Sequence, residues 1–184
     1  MATVAEKLLT AEEFARMPDP GYPTELVRGR IIRMPPPGFE HGELCAQIAY
    51  LLTAYVKEQG HGRTLTNDSG VVTEHGPDSV RGPDVSYYSY QRVPKGTKIP
   101  GYAEVKPEIV FEVLSPEDRW PKVLAKVAEY LEVGVLLVCV VNPKKNTVHL
   151  YRPEEPDRVL GPDDDWSAPE ILGEFRIPVR QFFE

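Results

Sequence analysis

Ile109-Val110-Phe111-Glu112-Val113-Leu114 is the stretch on which the fold turns. All but one of these residues are apolar, with no polar residue at every second place. That is the pattern of a strand buried on both faces, covered by other elements above and below. Ser115-Pro116 ends it. The exception is Glu112. A carboxylate in a buried strand is costly unless a cation or hydrogen bonds compensate it. The stretch therefore predicts both a central strand and a site.

The chain on either side supplies the partners. Pro121 suits a first helical position and biases Trp120 away from helix, so a helix is expected from about Pro121 to Val133. Val135 to Val141 reads as a second buried strand, and Thr147 to Tyr151 pairs with it through the turn Pro143-Lys144-Lys145-Asn146. Upstream, Val85 to Tyr88 is a strand opened by Arg81-Gly82-Pro83-Asp84, and Val71-Val72-Thr73 is another. Gln91 to Lys106, rich in Pro, Gly and Lys, is expected to be an exposed loop. A long helix is predicted over Glu40 to Glu58, with Leu44, Ile48, Leu51, Leu52, Tyr55 and Val56 on one face and Gly60 as its stop. Thr10 and Glu13 form a capping box for a short helix that ends before Pro18. Glu25-Leu26-Val27 and Ile31 to Met34 form a hairpin that turns at Gly29, and Phe175-Arg176-Ile177 is a last edge strand. The expected fold is α/β, a mixed central sheet flanked by helices, in one domain over residues 1–184.

Composition narrows the function. The hydrophobic share of 41% is enough for a core at 184 residues. No apolar run reaches the roughly 18 residues of a membrane span, and Met1 to Thr10 lacks a signal-peptide pattern. Cys45 and Cys139 sit in apolar periodic segments and read as small buried hydrophobes in a cytoplasmic protein. The formal net charge is −7. Residues 153–174 hold eight acids and one base, so this acidic, loop-rich segment carries the whole imbalance. The balanced remainder allows contact with a polyanion but argues against tight non-specific binding.

Two further acids stand near strand starts, Asp84 and Glu25. Acids from neighbouring strands can hold a hard divalent cation such as Mg²⁺. In the helix after Glu112, Lys122, Lys126 and Tyr130 lie along one strip. Lys126 sits at the edge of the apolar stripe of Trp120, Val123, Leu124, Val127 and Leu131, where its stem can rest on the core and its ammonium turn toward the sheet.

These residues carry a resemblance. Pro83-Asp84 followed by Glu112-Val113-Leu114 is similar to the PD-(D/E)XK nuclease motif, and more narrowly the chain resembles the Uma2 family of restriction endonucleases. The matching stretches are Glu25 to Arg30, His41, Arg81 to Val85, Glu108 to Pro116 with Asp118, Lys126 to Tyr130, and Gly134-Val135. The resemblance spans about Leu9 to Phe183 and implies a restriction-endonuclease-like fold with metal-dependent hydrolysis of DNA. Leu114 stands where the motif has its lysine, and Lys126 matches the lysine moved to the following helix. By this resemblance Asp84 and Glu112, with the carbonyl of Val113, bind Mg²⁺ or Mn²⁺; Lys126 orients or deprotonates the attacking water, and Glu25 is an accessory acid. Lys122, Arg81 and His41 are candidates for contact with DNA phosphates, and pairing of subunits is expected. The chain departs from the family at Leu136-Leu137-Val138-Cys139 and at Asn142.

Other readings stay open at this level. A nuclease fold that serves only as a DNA-binding or assembly module would keep the acids without cleaving. A metal-dependent phosphohydrolase would act on a small molecule. His61, His75 and His149 have no partners at metal-ligand spacing, and Asp163-Asp164-Asp165 lacks the alternating pattern of a calcium loop.

Overall fold

A computed structural model describes residues 7–184; the first six residues, where the reading against a signal peptide begins, lie outside it. The helix α1 (Ala11–Ala15) starts at Thr10, whose side chain accepts from the Glu13 backbone while Glu13 reaches back, as the capping box predicts. The hairpin of β1 (Thr24–Val27) and β2 (Arg30–Arg33) follows, then the long helix α2 (Phe39–Gln59). Gly60 closes α2 in the left-handed conformation, with φ of 69°. Next come β3 (Gly62–Thr66), β4 (Val71–Glu74), β5 (Ser79–Arg81), β6 (Val85–Ser89) and β7 (Ile109–Val113). The helix α3 (Trp120–Glu132) leads to β8 (Leu137–Asn142) and β9 (Thr147–Tyr151). The chain ends with β10 (Arg158–Leu160), β11 (Asp165–Ser167), α4 (Pro169–Leu172) and β12 (Arg176–Pro178).

The central sheet is mixed and has the order β10-β9-β8-β7-β6-β3. Only β7 and β8 run parallel, joined by the crossover through α3. A second sheet, β2-β1-β5-β4, is antiparallel, and β11 pairs with β12. Among the described residues no helix is long and apolar enough to cross a membrane.

The two-residue period of a strand divides β7 between two cores. Ile109, Phe111 and Val113 pack with Leu44, Ile48, Leu52 and Val56 of α2. Val110 faces the other way, into a cluster with Val127 and Tyr130 of α3. Strand β8 alternates likewise, with Leu137, Cys139 and Val141 toward α2 and Val138 and Val140 toward α3. Glu112 shares the parity of Val110, so the strand delivers its carboxylate to the α3 face.

Residues 153–174 are better ordered than their composition suggests. They contain β10, β11 and α4, and Trp166 is completely buried against Phe111, Phe175 and Phe182. Its indole N–H donates to the Cys139 thiol at 3.4 Å. The acids of this segment occupy the outside of a piece of core. The strands β3 and β5 are also absent from the sequence reading, because Gly62–Thr66 and Ser79–Arg81 carry little apolar alternation. The Gln91–Lys106 stretch is without helix or strand as expected, yet Val93 is buried and Ala103 bridges to Val71.

Trp166→Ala is expected to cost about 3–5 kcal/mol of stability, the range for deleting a large buried aromatic. Urea unfolding measures it; a loss below about 1 kcal/mol would mean that the C-terminal segment is not part of the cooperative core.

Candidate active site

The α3 face of β7 is where the charges meet. Lys126, one helical turn before Tyr130, points its ammonium at Glu112. Its Nζ donates to Glu112 Oε2 at 2.9 Å, and the Tyr130 hydroxyl donates to Oε1 at 2.9 Å. Both carboxylate oxygens are therefore held, by two residues four apart on one helix. The Glu112 and Lys126 side chains are only 13% and 18% exposed.

Glu25 arrives from the other sheet. Its Oε1 lies 3.1 Å from Lys126 Nζ and accepts from the Gly82 N–H, also at 3.1 Å. Its Oε2 accepts from Arg81 at 2.9 Å. Arg81 then turns the rest of its guanidinium to Glu129, donating from Nε at 2.7 Å and from Nη2 at 2.6 Å. This is a bidentate pair of the strong, geometry-fixing kind. The hairpin, the β5 end and α3 are thus tied together around Lys126.

Asp84 sits in the bend just before β6. The antiparallel register pairs Val85 with Phe111, so one further step places Asp84 beside Glu112. Its Oδ2 accepts from the Val113 N–H at 2.6 Å, while Oδ1 lies 3.1 Å from His41 Nε2 at the start of α2. Asp84 therefore spans from the sheet to α2. Pro83 before it is buried and offers no N–H, which suits a bend entering a strand.

The structure thus brings Glu25, Asp84, Glu112 and Lys126 into one electrostatic cluster. It places the other expected residues differently. The Arg81 guanidinium is taken up by two carboxylates and does not face outward. His41 contacts Asp84 and is mostly buried. Lys122 is exposed on the first turn of α3. Val113 contributes its N–H to Asp84; the expectation concerned its carbonyl.

Four groups were missed as parts of the site: Asp68, Glu129, Tyr130 and Cys45. Asp68 lies at the rim, in a turn where Asn67 and Asp68 both have positive φ. The turn packs on Gly82, where a Cβ would stand 2.7 Å from Asp68 Cβ and 2.9 Å from its carbonyl oxygen. Nothing local marks it. Tyr130 and Glu129 carried a signal, their helical spacing from Lys126, without one for a partner.

The protonation states follow from crowding. Burial pushes the Glu112 carboxyl up to about 8; Lys126 opposes that shift, and Asp84 and Glu25 add to it. Burial alone would lower the Lys126 pKa, but Glu112, Glu25 and Asp84 together hold it above its ordinary value, so it stays an ammonium. For Glu25 burial is outweighed by Lys126 and Arg81, and its carboxyl falls below the usual range. His41 is raised to about 10, by its hydrogen bond to Asp84 first and by Cys45 next. Asp68 is raised by partial burial and then by Asp84. Five carboxyl groups, Glu25, Asp68, Asp84, Glu112 and Glu129, thus meet three cations, Lys126, Arg81 and His41.

Glu108, the other buried acid beside β7, offers a contrast. It accepts from the Ser89 backbone N–H at 3.0 Å, and Arg92 Nε lies 3.3 Å away, so it reads as a structural clasp at the opposite end of the strand.

Comparison with known proteins bears on the family and the fold. A family model described as "Uma2: Putative restriction endonuclease" matches residues 11–180. A crystal structure of "a putative nuclease belonging to DUF820" from Anabaena variabilis ATCC 29413 superposes with a TM-score of 0.82 at 25% identity, covering 95% of this chain and 97% of that one. No curated protein matches.

The raised Glu112 pKa has a consequence for stability. An unfolded chain with an ordinary glutamate pKa of 4.5 has released this proton in the range where the folded chain still holds it. The folded state then binds more protons between about pH 4.5 and about 8, and the contribution is lost as pH rises through that window. In EDTA, the thermal midpoint of the wild type should fall relative to that of Glu112→Gln as pH is raised across it. Parallel curves would show Glu112 ionised throughout.

Proposed function

The chain belongs to the Uma2 family, a nuclease-type assignment that its fold shares, and we propose that it hydrolyses DNA phosphodiester bonds with a divalent cation, Mg²⁺ or Mn²⁺. The observation that carries this reading is the convergence of Asp84, Glu112 and Lys126 at one end of the central strands, with Lys126 supplied by the helix that follows Glu112.

The donor set fits a hard cation. Asp84 and Glu112 offer carboxylate oxygens, the ligands such ions prefer. The burial of Glu112 among other carboxylates is relieved by added positive charge. When bound, the cation supplies Lewis-acid polarisation of the scissile phosphate and of a water.

The protein's own groups divide the remaining work. Lys126 keeps its proton between Glu112 and Glu25, so it acts as a donor and not as a base. It orients the attacking water and faces the negative charge that develops on the phosphoryl oxygens. Tyr130 fixes the Glu112 carboxylate, and Arg81 fixes Glu25 and Glu129. His41 and the Val113 N–H fix Asp84. Glu25 also holds Lys126, at 3.1 Å, and is the accessory acid. The family departures at Leu136 to Cys139 leave this arrangement intact, because Leu137 to Cys139 pair with Ile109 to Phe111, one residue short of Glu112.

Plasmid cleavage in Mg²⁺ or Mn²⁺, abolished by EDTA, is the test. Glu112→Gln and Asp84→Asn should be inactive and folded. Lys126→Ala should lose about 10²-fold or more in rate, the scale of a removed transition-state contact. Lys122→Ala should instead weaken DNA binding and flatten its salt dependence, as expected for an exposed phosphate contact. Wild-type cleavage by Lys126→Ala would overturn the assignment. Cleavage of bis-p-nitrophenyl phosphate without cleavage of plasmid would point to a small-molecule phosphohydrolase, and absence of Mg²⁺ binding by calorimetry to a non-catalytic module.

A further inference from the structure

On the α2 side of Asp84 lies a second donor set of a different chemical kind. His41 and Cys45 are four residues apart on α2, so both point the same way, one turn from each other. Asp84 faces them from the start of β6. One ligand atom from each of the three residues, an imidazole nitrogen, the Cys45 sulfur and a carboxylate oxygen, lie within 4.8 Å of one another. All three residues are partly buried. We propose that His41, Cys45 and Asp84 form a three-ligand site for a borderline-soft divalent metal ion of the Zn²⁺ class.

The chemistry of the donors selects the metal. A thiolate and an imidazole are poor ligands for Mg²⁺ and good ones for Zn²⁺ or Co²⁺. Tetrahedral ligation at ordinary zinc distances puts neighbouring ligand atoms about 3.3–3.6 Å apart. His41 Nε2 and Asp84 Oδ1 are already 3.1 Å apart, so one edge of that polyhedron is preformed. The other ring nitrogen, Nδ1, is buried and makes no hydrogen bond. Binding displaces the Cys45 thiol proton and the proton held between His41 and Asp84, which pass to solvent as the metal takes their place. Three protein ligands leave one tetrahedral position for water, as in open zinc sites. Cys139, the other cysteine, is buried beside the Trp166 indole and offers no such set.

Because Asp84 also belongs to the candidate nuclease centre, a metal ion on the α2 side competes with a hard cation for that one carboxylate. This consequence rests on the nuclease reading; the site itself does not.

Co²⁺ added to the metal-free full-length protein is the probe. The expected spectrum has a near-ultraviolet thiolate-to-cobalt charge-transfer band together with intense tetrahedral visible bands, saturating at one equivalent. Zn²⁺ should displace it. Cys45→Ser and Cys45→Ala should each lose the charge-transfer band while retaining the wild-type circular dichroism, and Glu112→Gln should keep it. In the wild type, Zn²⁺ should also protect Cys45 from alkylation by iodoacetamide, located by peptide mapping, a readout that needs no variant. Weak visible absorbance without a charge-transfer band would overturn the proposal, as would a band that survives in both Cys45 variants. A wild type with the band and no plasmid cleavage in Mg²⁺ would uphold this site while rejecting the nuclease reading. Cleavage without the band would do the reverse.

Discussion

A carboxylate held out of water by the central strand governs this molecule. Glu112 sits on the α3 face of β7, where its neighbours by parity are Val110, Val138 and Val140. An unpaired charge there would be untenable, so the surroundings must answer it. Lys126 and Tyr130 do so from α3. Lys126 also meets Glu25, which comes from the hairpin. Glu25 needs Arg81, and Arg81 completes its fork on Glu129, back on α3. The ring of ion pairs follows from one buried carboxylate, and it ties the small antiparallel sheet to the crossover helix of the large one.

Such a ring resembles a stability device, yet buried ion pairs seldom stabilise relative to apolar packing. Its value here is positional. The same bonds that satisfy Glu112 hold an ammonium beside two acids at the end of the sheet, with Asp84 in the next register place. The cost of that arrangement is visible in the raised carboxyl of Glu112. Two well-packed cores on either side of β7 and β8 carry the folding energy that tolerates it.

Asp84 is the hinge between two chemistries. On one side lie hard oxygen donors and an ammonium; on the other lie an imidazole and a thiol. Its Oδ2 is committed to the backbone N–H of Val113 and its Oδ1 to the direction of His41. The apolar seat of α2 fixes the second direction, since Leu44, Ile48, Leu52 and Val56 dock the helix and so set where His41 and Cys45 point.

Periodicity along the chain was enough to find β7, α2, α3, β8 and β9, because each buries a stripe that a local pattern records. It also exposed Glu112, whose charge breaks such a stripe, and placed Lys126 at the edge of another. The hairpin and the capping box were legible for the same reason, since both are satisfied within a few residues. Other features depended on contacts between distant segments. The strands β3 and β5 are strands by virtue of their neighbours, and the acidic C-terminal segment is ordered because Trp166 finds Phe111 and Phe182. Arg81 and His41 read as outward-facing until the fold gave them Glu129, Glu25 and Asp84. Asp68 gave no signal at all, and Cys45 read as a small buried hydrophobe although it stands four residues after His41. A sequence records what a residue must avoid, such as water for a valine; which group answers a buried charge is settled only when the sheets and helices close around it.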